Sequence, residues 1–226
     1  NPAKHVMGHN AMQAIRREKG TFQHGKAPIL LETLPLLADM LSGSDLVTLR
    51  DKALLFLGFA GAFRRSELVA VQIEDLTFTT QGMVVFIPQS KGDQLGAGSE
   101  IAIPYAPQKE ICAVRAVRNW MEAAGITSGP LFRGFKRNLQ PRDTQLNDKA
   151  VAEIVKKYMA RLGLDPSDFA GHSLRRGFAT SAAQHDLNTL EIMRQTRHKS
   201  EKMVHRYIEQ GNLFKENALD KMFNKK

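Results

Sequence analysis

The sequence predicts a mainly α-helical protein with one small antiparallel β-sheet, an α+β fold class. Apolar residues recur at helical spacing through most of the chain. Between about Asp75 and Pro104 the spacing of apolar residues changes to two, which is typical of strands. A chain of 226 residues that is 42% hydrophobic can bury one large core or two modest ones, so we expect it to fold.

Two helices are predicted before the sheet. Thr33 is placed to cap the first helix, with Pro35 in its first turn and apolar residues following at helical spacing. The second helix, from about Thr48 to Ala60, is apolar nearly all round. A helix of that kind lies in the centre of a core.

The strand pattern consists of a hairpin and a third strand. The hairpin runs from Leu76 to Pro88 with its turn at 80–82, and the third strand covers 100–104. Helices are predicted to resume over 108–124, 147–162, 174–185, 188–196, 200–208 and 212–223.

Charge and composition narrow the class of protein. The net charge of +9 and the pI near 9.8 favour an acidic partner such as nucleic acid. Residues 131–161 carry eight basic and three acidic side chains, so they are expected to contact a phosphate backbone. Cys112 is the single cysteine, which excludes a disulfide framework or a cysteine-rich zinc site. No apolar run approaches the roughly 20 residues of a membrane span, so we expect a soluble, cytoplasmic protein without a membrane partner.

Four short patterns carry chemically useful side chains. Each alone has an ordinary explanation: solvated arginines, an exposed lysine at a hairpin tip, a capping histidine, and a packed tyrosine. Together, and in this order between helix, sheet and helices, they supply six candidate catalytic residues: Arg64, Lys91, His172, Arg175, His198 and Tyr207.

This combination resembles the catalytic domain of the tyrosine recombinases, the phage integrase family, over about residues 28–224. The family's first arginine box corresponds to residues 64–68, its hairpin lysine to Lys91 and its His-x-x-Arg box to residues 172–175. Its second histidine corresponds to His198, and its nucleophile, nine residues later, to Tyr207. The family usually has glycine before that second histidine, where Arg197 stands here, so we expect a changed turn with catalysis retained.

The resemblance implies that Tyr207 attacks a DNA phosphorus, leaving a 3′-phosphotyrosine and a 5′-hydroxyl. Independently, metal-free cleavage of a phosphodiester needs cations on the non-bridging oxygens, which Arg64 and Arg175 supply as permanently charged, bidentate donors. Lys91 is assigned the proton for the leaving 5′-oxygen.

Three further side chains receive supporting roles. His172 is expected to assist proton movement at the tyrosine, and His198 to hydrogen-bond a phosphate oxygen. Glu67 is interpreted as orienting the arginine box rather than as a base.

No metal or cofactor is expected. The sequence contains no Asp-x-Asp, no His-Glu-x-x-His and no glycine-rich phosphate loop. Two alternatives stay open: a type IB topoisomerase, which uses the same phosphotyrosine chemistry on a single site, and a basic DNA-binding module of the same fold that has lost catalysis.

The resemblance also implies a domain organisation and partners. Residues 1–27 are interpreted as a linker or the end of a missing N-terminal core-binding domain, and 28–211 as the catalytic domain. Residues 212–226 are interpreted as a C-terminal tail helix, which we hypothesise docks on a neighbouring protomer. The expected assembly is a homotetramer on double-stranded DNA, prokaryotic or phage-encoded and associated with the nucleoid.

Overall fold

The computed structural model describes residues 25–88, 98–198, 200–211 and 222. Within them the chain forms eight α-helices, three short 3-10 helices and two antiparallel sheets. The helices are α1 (Thr33–Met40), α2 (Leu46–Ala60), α3 (Arg65–Ala70), α4 (Ala113–Ala124), α5 (Asp148–Arg161), α6 (Ser173–Gln184), α7 (Thr189–Thr196) and α8 (Glu201–Gly211). The strands are β1 (Leu76–Phe78), β2 (Gly82–Ile87), β3 (Ser99–Pro104), β4 (Arg133–Phe135) and β5 (Pro141–Gln145).

Helix α2 lies in the centre, as its sequence predicts. Its N-cap is Asp45, whose carboxylate accepts the backbone N–H of Thr48 at 3.0 Å. Nine of its fifteen residues are buried, and it packs against α4, α5 and α6. The predicted cap of α1 is wrong by one residue, because Glu32 occupies the N-cap position and Thr33 is the first helical residue.

The predicted sheet is confirmed. Its strands lie in the order β1-β2-β3, with Val85 paired to Leu76 on one side and to Ile101 on the other. Met83, Val85 and Ile87 alternate inward along β2, which gives the sheet one buried face. Residues 89–97 between β2 and β3, which include Lys91 and the predicted tip of this segment, lie outside the described residues.

A second sheet was not predicted. Strands β4 and β5 form a two-stranded antiparallel ribbon with an irregular register between Arg133 and Phe135. Most residues of β5 are exposed, so the ribbon has no alternation of apolar and polar residues for a sequence pattern to detect. The ribbon carries three exposed basic side chains, Lys136, Arg137 and Arg142.

A buried ionic cluster fastens this ribbon to α2. Asp51, which is inaccessible to solvent, accepts hydrogen bonds from Arg50 Nη2 at 2.6 Å, Lys157 Nζ at 3.1 Å and the Tyr158 hydroxyl at 3.0 Å. Arg50 Nη1 in turn donates to the carbonyl oxygen of Arg133 at 3.3 Å. The cluster joins α2, α5 and β4 through one carboxylate.

The apolar interior has two parts. The larger contains α1 to α5, the three-stranded sheet and the start of α6, with Trp120, Tyr158 and Phe56 among its largest side chains. The smaller joins α6, α7 and α8 through Ala179, Ile192 and Val204. Since α6 contributes to both, it links the two parts.

The segment that precedes α1 packs against α6. Ile29 donates its N–H to the carbonyl of Ser173 at 3.0 Å, and a Cβ at Gly177 would lie 1.7 Å from the Ile29 oxygen. Only glycine permits this approach. No helix in the described part of the chain has the length and apolar character that crossing a bilayer requires.

Candidate active site

Five of the six predicted catalytic residues line one cavity. Its volume is about 120 Å³, and it is lined by Arg64, His172, Arg175, Arg176, His198, Met203 and Tyr207. These residues come from the start of α3, the first turn of α6, the loop after α7, and α8. The sixth predicted residue, Lys91, lies outside the described residues.

Arg64 caps a separate short helix rather than belonging to the central one. Helix α2 ends at Ala60, Ala62 turns the chain with a positive φ of 44°, and a new helix, α3, begins at Arg65 with Arg64 as its N-cap. The carboxylate of Glu67 accepts the backbone N–H of Arg64 at 3.0 Å, which caps this short helix. The turn carries Arg64 away from the α2 axis to the cavity.

Arg175 is a buried cation with an open donor. It is 6% exposed, and its Nη1 donates to the carbonyl oxygen of Ala62 at 2.7 Å. Its Nη2 is buried and has no hydrogen-bond partner within the described residues. Burial, followed by the charges of Arg64 and Arg197, lowers the pKa of Arg175 to about 9. Arg175 therefore stays charged at neutral pH, with one donor unsatisfied.

Glu67 holds two of the arginines together. Its side chain is 3% exposed, Oε1 accepts a hydrogen bond from Arg64 Nη1, and Oε2 accepts one from Arg197 Nη2 at 2.9 Å. Burial opposes ionisation of Glu67, but the Arg64 N–H and the two guanidinium groups outweigh it and keep its pKa below the ordinary value. The geometry is what an orienting carboxylate requires.

His198 and Tyr207 lie side by side. Their rings stack with centroids 5.8 Å apart and planes inclined by 29°. His198 is 7% exposed, and its Nδ1 is buried with no hydrogen-bond partner among the residues described. Burial, and then the charges of Arg175, Arg64 and Arg197, lower its pKa to about 4, so the imidazole is neutral at pH 7.

Helix α6 brings two more groups to the cavity. His172 is its N-cap residue, and the N–H of the next residue, Ser173, donates to the carbonyl oxygen of Ala170 at 2.9 Å. Arg176 also lines the cavity, and its Nη1 donates to the carbonyl of Lys26 at 2.7 Å. Arg176 was not among the predicted site residues, although it directly follows Arg175 in a His-x-x-Arg-Arg run.

Arg197 occupies a backbone position of the glycine type. It ends α7 in the left-handed conformation, with φ 57° and ψ 38°. The arginine therefore keeps a conformation that glycine would adopt without strain, and its side chain turns inward, 10% exposed. Its pairing with Glu67 crosses 130 residues of sequence, so no local pattern could have revealed it.

A larger cleft adjoins the cavity. Its volume is about 540 Å³, and it shares Arg64 and His172 with the smaller cavity. Lys26 and Arg65 also line it, and Arg65 Nε lies 3.0 Å from Asp148. Basic side chains therefore exceed acidic ones along the cleft.

The cavity is suited to bind an anion. Three guanidinium groups, those of Arg64, Arg175 and Arg197, face the single carboxylate of Glu67. A phosphodiester would balance the excess positive charge, and its oxygens would accept a hydrogen bond from the unpaired Nη2 of Arg175. In the described part of the chain, no group of three or more His, Cys, Asp or Glu side chains is placed to hold a metal ion.

The sequence is similar to those of curated recombinases. The integrase/recombinase xerD homolog of Selenomonas ruminantium is 68% identical over 225 residues, which cover this chain fully but 66% of that protein. The tyrosine recombinase XerC of Syntrophus aciditrophicus is 24% identical over 88% of this chain and 61% of its own length. The chain thus spans less than two thirds of these curated relatives.

Solved structures have the same fold. The XerH recombinase bound to palindromic difH substrate in a post-cleavage complex matches with a TM-score of 0.67 and 18% identity, over 88% of this chain and 52% of that one. The XerA recombinase matches with a TM-score of 0.64 and 13% identity, over 90% and 65%. The mainly helical fold with small antiparallel sheets is therefore that of known recombinases.

The family itself follows from the match along the chain. The model of the phage integrase family aligns with residues 32–212, a span that begins just before α1, includes the whole cavity and ends after α8. The chain therefore belongs to the phage integrase family.

Proposed function

We propose that the protein of which this chain is part is a site-specific recombinase that cuts and rejoins DNA strands through Tyr207. One observation carries the proposal. Arg175 is a buried guanidinium with an open Nη2, and it lines the same cavity as Arg64, His198 and Tyr207. A buried cation with an unused donor is costly unless a ligand satisfies it. A phosphodiester fits that requirement in charge and geometry.

The proposed reaction is a transesterification. The Tyr207 oxygen forms a bond to phosphorus while the bond from phosphorus to the 5′-oxygen breaks, which leaves a 3′-phosphotyrosine. His172 takes up the tyrosine proton, and Lys91 protonates the leaving 5′-oxygen. In the rejoining step, a 5′-hydroxyl attacks the phosphotyrosine, and the bond from phosphorus to the Tyr207 oxygen breaks.

The arginines and His198 stabilise the charge that develops in this step. Arg64 and Arg175 donate to the non-bridging oxygens, where negative charge accumulates in the transition state. His198 is neutral at pH 7 because its pKa is about 4, so it donates a hydrogen bond rather than a charge. Its stacking on Tyr207 also fixes the direction of the nucleophile.

Double-stranded DNA is the proposed partner. The Selenomonas relative is named an integrase/recombinase, and the XerH structure holds a difH substrate. The net charge of +9 and the exposed basic ribbon are consistent with backbone contacts. The same proposal includes assembly as a homotetramer on DNA. In it, residues 28–211 are the catalytic domain, 212–226 dock on a neighbouring protomer, and 1–27 lead to an N-terminal domain. It also includes action in the cytoplasm, on the nucleoid.

A covalent trap tests the proposal. The full-length parent protein is incubated, in buffer containing EDTA, with a pool of nicked duplexes that lose a short fragment after cleavage. Wild type should give SDS-resistant protein–DNA adducts, and sequencing of the trapped DNA should identify the site. Tyr207→Phe should give none, whereas Tyr105→Phe, a tyrosine that packs beside Arg115 on the main core, should behave as wild type.

Three outcomes would contradict the proposal. Adducts from Tyr207→Phe would exclude this nucleophile. Adducts that require magnesium would exclude the metal-free mechanism. Intact DNA binding without any adduct from wild type would favour the non-catalytic binding module.

A further inference from the structure

We infer that Arg197 is a positioning residue that fixes both phosphate-binding arginines and thereby sets the rate of strand cleavage without contacting DNA. The inference rests on the proposed function, since it concerns the groups that would hold the phosphate. Two sets of contacts carry it, one to Glu67 and one to the turn that follows α2.

The first set fixes Arg64. Arg197 Nη2 donates to Glu67 Oε2 at 2.9 Å, and that same oxygen accepts the backbone N–H of Arg64 at 3.0 Å. The other oxygen, Oε1, accepts Arg64 Nη1. Arg197 thus removes the rotational freedom of the carboxylate, which leaves Oε1 directed at the Arg64 guanidinium. A carboxylate held at both oxygens can orient its partner far better than one held at a single oxygen.

The second set fixes the turn that carries the Arg175 acceptor. Arg197 Nη1 donates to the carbonyl of Gly61 at 3.0 Å, and Nη2 lies 3.2 Å from the carbonyl of Ala62. The Ala62 oxygen is also the acceptor for Arg175 Nη1, at 2.7 Å. Ala62 has a positive φ of 44°, which an L side chain adopts only when its surroundings hold it there. Arg197 is one of the groups that hold it.

The carbonyls of Gly61 and Ala62 lie at the C-terminal end of α2. They directly follow α2, whose last carbonyls have no partner within the helix and carry the negative end of its dipole. Gln195 Nε2 binds the Ala60 oxygen at 2.7 Å, so residues 195 and 197 together cap this helix end. Cations are favoured there, which explains how a third arginine is tolerated beside Arg64 and Arg175.

Arg197 is unsuited to bind phosphate itself. Its side chain is 10% exposed, and its guanidinium lies 5.2 Å from the ring centroid of Phe63. Both terminal nitrogens already donate to protein oxygens, and Arg197 is not among the residues that line the cavity. It also keeps a left-handed backbone that glycine would adopt without strain, so its side-chain contacts offset that strain.

The test separates cleavage rate from DNA affinity. The full-length parent protein, at saturating concentration on a trapped nicked substrate, gives the single-turnover rate constant for adduct formation, and a titration gives the apparent Kd. Arg197→Ala should lower the rate constant by about tenfold to a hundredfold, because the arginines lose their fixed position. The apparent Kd should change by less than about twofold, since no DNA contact is removed.

Two further variants refine the result. Arg197→Lys should cleave at an intermediate rate, because an ammonium group can reach Glu67 but cannot also span both carbonyls. Arg194→Ala removes an exposed arginine from the same helix and should cleave as wild type. Combining Arg197→Ala with Glu67→Gln should slow cleavage by less than the product of the two single effects, because both act on Arg64.

The outcomes are distinguishable. If wild type forms no adduct, the proposed function fails and this inference fails with it. If wild type cleaves and Arg197→Ala cleaves equally fast, or loses rate and affinity in parallel, only the inference is overturned. Circular dichroism melting checks that each variant is folded at the assay temperature. Should Arg197→Ala not fold, a folded Arg197→Lys that cleaves at the wild-type rate overturns the inference equally well.

Discussion

Replacing Arg175 by methionine should make the protein more stable while it abolishes strand cleavage. The cation is 6% exposed, and burial together with Arg64 and Arg197 lowers its pKa from 12.5 to about 9. That difference corresponds to a penalty of about 5 kcal/mol for the charged form in the folded state. Methionine keeps much of the volume and loses the hydrogen bond to the Ala62 oxygen, which is worth about 1.5–3 kcal/mol with a charged donor.

The net effect should be a gain of about 2–3 kcal/mol in the free energy of unfolding, or about 4–12 °C in Tm for a domain of this size. The gain should be constant near pH 7, where Arg175 is protonated in both states. It should shrink as the pH rises above about 9, because the folded wild type then releases the proton and its penalty disappears.

Urea denaturation followed by circular dichroism, in a buffer without sulfate or phosphate, measures this effect. Arg194→Met, an exposed arginine in α7, is the control and should stay within about 0.5 kcal/mol of wild type. Added sulfate should stabilise wild type more than Arg175→Met, because the anion binds the open guanidinium. A loss of stability in Arg175→Met, or equal stabilisation of both proteins by sulfate, would refute the reasoning.

Three further predictions concern other charges. Glu67→Gln should lose about 3–5 kcal/mol at pH 7 in urea denaturation, because two guanidinium groups lose their buried partner. The folded pKa of Glu67 lies below its ordinary value of 4.5. The stability difference between wild type and Glu67→Gln should therefore be complete above pH 4.5 and shrink as the pH falls through the folded value. A difference that is unchanged at pH 3 would contradict this prediction. Asp51→Asn should cost about 3–5 kcal/mol by the same assay while leaving DNA cleavage measurable below its Tm, and full stability would contradict the role of that cluster. Joint replacement of Lys136 and Arg137 by glutamine should reduce the slope of log K against log salt in DNA titrations by about 2, and an unchanged slope would place the ribbon away from DNA.

Periodic sequence patterns predicted the elements that bury a regular apolar face. The central helix, the three strands and the helices predicted between 108 and 208 lie within about five residues of their predicted bounds. The helix predicted over 212–223 lies, except for residue 222, outside the described residues. Helix α3 was missed because six residues are too few to show a helical period. Its main local indication in the sequence is Glu67, which follows the N-cap residue Arg64 by three positions. The β4–β5 ribbon was missed because residues such as Arg142 and Thr144 are exposed, so no apolar face exists to give a period of two.

The site was predictable to a different degree. Arg64, His172, Arg175, His198 and Tyr207 were selected through a resemblance to a family motif, and the structure brings all five to one cavity. Their roles as catalytic groups stay predictions. Glu67 was interpreted as orienting the arginine box, but no sequence pattern supplied its second partner. Glu67 meets Arg197 across 130 residues, and such pairs are determined by tertiary packing.

The capping of the α2 end by Gln195 and Arg197 has a consequence for synthesis of the protein. A nascent chain that has reached residue 150 already carries Arg64 and much of the basic surface, yet the groups that brace the 60–62 turn are still unmade. Translation must pass Arg197, and then Tyr207, before the pocket closes. A chain that stops before residue 195 would therefore carry Arg64 and Arg175 without the contacts that fix the turn between α2 and α3.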